Sequence, residues 1–191
     1  LAMGTFDDVN AISKIAVNTH LAGAAGTVAA AVVTRLLGGK TDIVMMLNGA
    51  LAGLVAITAE PLTPSPVLAI VIGAIGSLIM YFGTKFLESK KIDDVVGAIP
   101  VHMFAGIFGT LVVPISNPDT NFGTQLTGVI AVCLFSFILS YITFRVLKQT
   151  IGLRISAQAE KLGTDVAEVG VKAYAIRAVS YTHLRAHETG P

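Results

Sequence analysis

Apolar residues fall into five long runs, at about 17–37, 44–59, 67–87, 95–115 and 125–147, with short polar stretches between them. A helix needs about 20 apolar residues to cross the hydrocarbon of a bilayer, and most of the runs approach that length. The second is shorter and predicts a helix with little tilt. Each break carries turn-forming residues: Gly38-Gly39-Lys40, the proline-bearing stretch 61–66, Glu88 to Lys91, and Ser116 to Gly123. In lipid every backbone N–H and C=O needs a partner within its own segment, so the runs predict helices. None has the basic start and small-residue cleavage site of a secretory leader.

Composition agrees with a bilayer. The chain of 191 residues is 53% hydrophobic and 13% charged, and its mean hydropathy is +0.75. A soluble domain carries about a quarter charged residues. A net charge of +1 leaves no basic face for nucleic acid. The single cysteine, Cys133, lies inside an apolar run and has no partner for an internal disulfide. Nothing in the pattern calls for a cofactor or a metal. Trp is absent, although Trp and Tyr commonly mark membrane interfaces.

Basic residues give the runs a direction. Arg35, Lys40, Lys85, Lys90 and Lys91 adjoin the breaks after the first and third runs, while the other two breaks hold only Glu60 and Asp119. Positive-inside bias puts the first set in the cytoplasm, together with the tail carrying Lys148, Arg154 and Lys161. Five spans then place the N-terminus outside and the C-terminus inside, with Lys14 the one basic residue against this order. The expected organisation is a transmembrane domain at 1–148 and a cytoplasmic tail at 149–177. Small residues show where helices meet: Gly23 and Gly26, Gly49 and Gly53, Gly73 and Gly76, Gly106 and Gly109 put flat patches on four spans.

The candidate chemistry is one histidine. His102 stands in the fourth run with no lysine or arginine beside it, and Asp93 and Asp94 precede the run. An ionisable group at membrane depth usually faces a pathway or a partner, and imidazole can donate or accept a hydrogen bond near neutral pH. The plainer alternative is a helix–helix hydrogen bond. His20, near the outer end of the first run, reads as interfacial. Asp93 and Asp94 also fit a simple helix cap, Asp93 especially. Pro100 is expected to kink the fourth span near His102.

Three stretches carry a family resemblance. Asn18-Thr19-His20-Leu21-Ala22-Gly23-Ala24-Ala25-Gly26, Gly49-Ala50-Leu51-Ala52-Gly53-Leu54-Val55-Ala56-Ile57-Thr58, and Asp93-Asp94 followed by Val101-His102 together resemble the C-terminal half of ammonium transporters of the Amt/MEP/Rh family. The tail adds Gly152-Leu153-Arg154, Glu160, Gly163, Asp165 and Ala173-Tyr174, and the likeness covers about residues 1 to 177. It implies an all-α membrane protein: five transmembrane helices of an eleven-helix bundle of two inverted halves, plus the tail, assembled as a homotrimer with one pore per subunit. The substrate would be ammonium, deprotonated on entry and carried as ammonia past two neutral imidazoles. His102 would be one of them and Thr58 would lie near the outer vestibule, with Asp94 a structural residue at the helix mouth. The other pore histidine, the phenylalanine gate and the outer Trp would belong to a half that this chain lacks.

Some positions depart from the family pattern. The family often has Gly-Val-His-Gly with an Asp five positions before the histidine; here Pro100-Val101-His102-Met103 stands, with Gly97 at that earlier position. Val169-Gly170-Val171 replaces a common His-Gly-Glu, which counts against docking of a PII-type regulatory protein on the cytoplasmic face. Thr58 has an ordinary alternative, a hydrogen bond to its own i−4 carbonyl. The segment 178–191, with His183 and His187, has no apolar periodicity and reads as non-native; H-x-x-x-H alone is a weak metal signal. An ammonium sensor with a signalling domain beyond Tyr174 is the nearest alternative function. An integral enzyme would need more ionisable residues within the spans than these runs offer.

Overall fold

A computed structural model describes residues 4–173, so the segment 178–191, Tyr174, His183 and His187 lie outside the described residues. The described chain is helical, without strands. It divides into two compact units, 1–136 and 137–191. The first contains α1 (Phe6–Gly38), α2 (Ile43–Thr58), α3 (Pro66–Ser89), a π-helical turn (Ile99–Phe104) leading into α4 (Ala105–Val112) and a 3-10 turn (Val113–Ile115). The division falls within α5 (Phe122–Thr150); α6 (Ala157–Leu162) and a π turn (Asp165–Val169) belong to the second unit. Among the described residues α1, α3 and α5 are long and apolar enough to cross a membrane, while α2 and the segment Ile99–Ile115 are apolar but shorter.

Caps explain the helix ends. α1 starts well before the predicted position 17, because Thr5 and Asp8 form a capping box: Asp8 N–H donates to Thr5 Oγ1 at 3.2 Å and Thr5 N–H to Asp8 Oδ2 at 3.0 Å. Its 33 residues rise about 50 Å, against about 30 Å of hydrocarbon, so its polar first turns extend past the apolar layer. It stops at Gly39, whose φ of 73° is the left-handed conformation glycine adopts without strain. Asp42 opens α2 by accepting from the Val44 and Met45 amides, and Ser65 opens α3 ahead of Pro66.

The core of the first unit is a crossing of backbones. A side chain on Gly26 would strike the Gly49 carbonyl, and side chains on Gly53 or Gly73 would each strike the Ala22 carbonyl. One turn of α1 is thus straddled by α2 and α3, and Ser77 seals it by donating to the Gly26 carbonyl at 2.7 Å, fully buried. Between apolar helices in lipid such close packing, rather than water exclusion, drives association. Gly109 brings α4 against the Ala56 carbonyl in the same way. The expected patch at Gly106 is corrected: a Cβ there meets only a Val55 methyl at 3.6 Å, an ordinary contact.

The loops at 59–65 and 116–121 are tied at one end of this bundle. The Glu60 carboxylate accepts from the Leu62 and Thr63 amides and from Asn117 Nδ2, the last at 3.2 Å. Thr63 donates to Ser116 Oγ at 3.1 Å. Asn18, fully buried on α1, donates from Nδ2 to the Pro61 and Pro64 carbonyls at 2.8 and 2.9 Å. In the second unit Arg154 pairs with Glu160 at 2.9 Å, and Ser156 caps α6. Asp165 accepts from the Ala173 amide at 2.8 Å. That bond, with a second from the Val166 amide, holds the carboxyl of Asp165 below its ordinary value. No residue of α5 is buried.

Candidate pore segment

The fourth helix begins later than the predicted 95. Val95 and Val96 are exposed in a turn, and helical backbone starts at Ala98. Asp94 sets that start: its two carboxylate oxygens accept from the Ala98 amide at 2.9 Å and the Ile99 amide at 2.8 Å. The next residue, Pro100, has no amide to satisfy, and the Val101 amide reaches back to the Gly97 carbonyl at 3.2 Å. The proline therefore occupies the first turn, where it fits without breaking a ladder, and not a helix interior as the sequence suggested. The cap falls to Asp94 rather than Asp93, which is exposed.

His102 lies in the π-helical turn that follows. There the Ala105 amide donates to the Pro100 carbonyl, five residues back, as well as to that of His102. Single π turns of this kind recur at functional sites. Pro100 and Val101 are buried, and the aromatic ring of Phe104 lies where Gly83 of α3 leaves room for it. The His102 side chain points the other way and is exposed. Among the described residues no hydrogen bond to its ring is found.

The other candidates sit apart from it. Thr58 is exposed at the far end of α2, and its hydroxyl donates to the Leu54 carbonyl at 2.6 Å, the ordinary bond of a helical threonine. It follows Ala56, which packs on Gly109; Gly109 is two turns beyond His102, about 10 Å along the axis. The structure does not bring Thr58 and His102 together. His20 is exposed and its Nδ1–H donates to the Ala16 carbonyl at 2.7 Å. A cavity of about 400 Å3 opens beside the start of the segment, lined by Thr84, Glu88, Asp93, Asp94, Gly97 and Pro100 among others. No cluster of three or more His, Cys, Asp or Glu able to hold a metal is found among the described residues.

One residue was missed in the sequence. Asn48 of α2 donates from Nδ2 to the Val96 carbonyl at 3.0 Å, and it fixes the loop that carries Asp94. Its partner is a backbone atom far along the chain, so no motif announces it.

His102 is thus an exposed imidazole on an apolar helix whose neighbours meet through glycine. Residues 3–174 match the model of the Ammonium Transporter Family. The chain belongs to that family. Its members are transporters and channels, not enzymes, and the chain is accordingly a multi-pass, all-helical membrane protein. Ammonium transporter Amt2 of Archaeoglobus fulgidus is 40% identical over 183 residues, which cover 85% of this chain and 39% of that protein. Ammonium transporter Amt1 of Methanocaldococcus jannaschii is 32% identical, covering 91% and 48%. Among solved structures, a Sensor Amt Protein superposes with a TM-score of 0.77 at 34% identity, over 82% of this chain and 42% of that one. Nitrosomonas europaea Rh50, of the Rhesus family of channels, gives 0.68 at 30% identity, over 88% and 48%. The chain spans two fifths to a half of the length of these relatives.

Proposed function

We propose that this member of the Ammonium Transporter Family forms one side of a membrane pathway for ammonium, which crosses as neutral ammonia past His102. The observation that carries the reading is the exposed His102 ring, without a hydrogen-bond partner among the described residues, on a segment bare of charge from Val95 to Ile115. A bare cation is costly in such a pore, whereas a molecule that can lose a proton and accept it again is not. Imidazole can take that proton and return it, working with a second imidazole from a segment outside this sequence. Asp94 holds the helix mouth, and Thr58 lies toward the outer vestibule.

The reading puts the protein in the inner (plasma) membrane as a homotrimer, N-terminus outside and C-terminus in the cytoplasm. The support for that orientation is the charge of the two bundle ends. The Asn48–Val96 bond and the bond from the Asp42 amide to Thr34 gather Lys40, Lys90 and Lys91 at one end. Glu60 and Asn117 meet at the other. Val169-Gly170-Val171 in the tail counts against a PII-type partner at the cytoplasmic face.

The test is co-expression of this chain with the part of Amt2 that it does not match, reading methylammonium uptake in proteoliposomes. The chain alone is expected to carry no flux, the pair to restore it, and His102→Ala to abolish it. Uptake by the pair that is indifferent to His102→Ala would sink the proposal. The likeness to the Sensor Amt Protein favours a second reading, an ammonium sensor. It predicts that ammonium perturbs the His102 ring signals while the restored pair carries no flux.

A further inference from the structure

We infer that Asn48 is a positioning residue for His102, acting from α2 through the loop before the π turn. The inference rests on the pore role proposed for His102 only in its purpose; its geometry stands independently. His102 is four residues from Ala98, the start of its helix, and that start is set by Asp94, whose two oxygens hold the Ala98 and Ile99 amides. What sets Asp94 is the loop 90–97. Among the described residues that loop has one side-chain hydrogen bond to another helix, from Asn48 Nδ2 to the Val96 carbonyl.

The neighbouring residue shows that the fit is a matched one. Gly97 has φ +74° and is buried, and a Cβ there would stand 2.7 Å from Asn48 Nδ2. Glycine thus meets two demands at one position: it takes a left-handed turn and leaves room for the Asn48 amide. Asn48 itself has little freedom. The next residue, Gly49, lies at the close backbone crossing with Gly26, Ala30 and Ser77. A rigid crossing therefore fixes Asn48, Asn48 fixes Val96 and Gly97, and Asp94 then fixes the first turn. Two residues beyond Pro100 the imidazole emerges on the uncovered face. The Asn48 amide must point its nitrogen at Val96, because a carbonyl can only accept.

The experiment uses the 191-residue chain with 15N-labelled histidine and backbone in bilayer nanodiscs, the His102 signals assigned with His102→Gln. Asn48→Ala is expected to shift or split the His102 ring signals and to speed amide exchange at Ala98 and Ile99 about tenfold, while His20 stays put. Thr63→Ala removes a bond at the far end of the same unit and is expected to leave both readouts unchanged. Asn48→Asp keeps the size but loses the donor, and is expected to act like Asn48→Ala. If the ring signals and exchange are unmoved by Asn48→Ala, or moved as much by Thr63→Ala, the inference is wrong. A further measurement needs no variant: the Asn48 side-chain amide protons of the unmodified chain should exchange slowly, and free exchange overturns the inference even where both variants fail to fold. A separate arm adds methylammonium to the unmodified chain. His102 signals that respond to Asn48→Ala but not to methylammonium leave the positioning role standing and remove the pore reading.

Discussion

α3 and α5 have equal mean hydropathy over their most apolar stretches, yet almost half of that stretch is buried in α3 and none of it in α5. The difference lies in side-chain size. α3 carries Gly73, Gly76, Ser77 and Gly83 on its inner face, and each accepts a neighbour at backbone range or a ring in the space it leaves. Phe135, Phe137, Ile138 and Tyr141 of α5 are exposed, and its mid-helix Gly128 has nothing within 4 Å of a would-be Cβ. Apolar content reports that a segment belongs in lipid. The spacing of its smallest residues reports whether it also meets another helix.

Paired substitutions test that contrast. Gly26→Val drives a branched side chain into the Gly49 carbonyl and is expected to cost about 3 kcal/mol or more, enough to abolish cooperative unfolding in detergent titrations. Gly128→Val on α5 should change the same measurement by no more than about 1 kcal/mol. Equal losses from the two would erase the distinction. Ser77→Ala removes the buried bond to the Gly26 carbonyl and should cost about 1 kcal/mol. Its counterpart Ser136→Ala, at an exposed position, should fall within about 0.5 kcal/mol of zero.

The smallest expected effects are at the polar ends. Asp8 is held below its ordinary value of 3.8 first by the Thr5 hydroxyl and then by the Gly4 amide. Asp165 is lowered by the Ala173 and Val166 amides. A carboxyl whose folded value is depressed contributes stability above its unfolded value and loses it as pH falls through the folded one. Amide exchange in the first turn of α1 and at Ala173 should therefore rise below about pH 3.8, while the Ser77–Gly26 crossing, which has no titrating partner, stays protected. Protection at Ala173 that persists to pH 2 would contradict the carboxylate's part in that turn.

The helices were largely legible in the sequence; their ends and contacts were less so. Five apolar runs gave five apolar helices, because hydropathy depends on no partner. The apolar run begins only at about 17, whereas α1 starts at Phe6, where Thr5 and Asp8 have capping spacing. The start of the fourth helix was placed early because Val95 and Val96 are apolar, and only the positive φ of Gly97 and the grip of Asp94 explain why they lie in a turn. Gly106 and Gly109 look alike as letters, but only Gly109 faces the Ala56 backbone. His102 stood out as the ionisable residue inside an apolar run. Asn48 did not, because its partner is a main-chain oxygen 48 residues away.

The Glu60 loop has a consequence for how the chain is made. Two of its bonds, from the Leu62 and Thr63 amides, close within the loop itself, as soon as it leaves the ribosome. The third comes from Asn117, 57 residues downstream. At about 5–20 residues per second that interval is roughly three to eleven seconds. The hairpin of α2 and α3 therefore emerges with its turn already shaped but one carboxylate oxygen still facing solvent. The arrival of Asn117 closes that site, so completion of the Glu60 cluster marks the moment at which the fourth helix has been inserted.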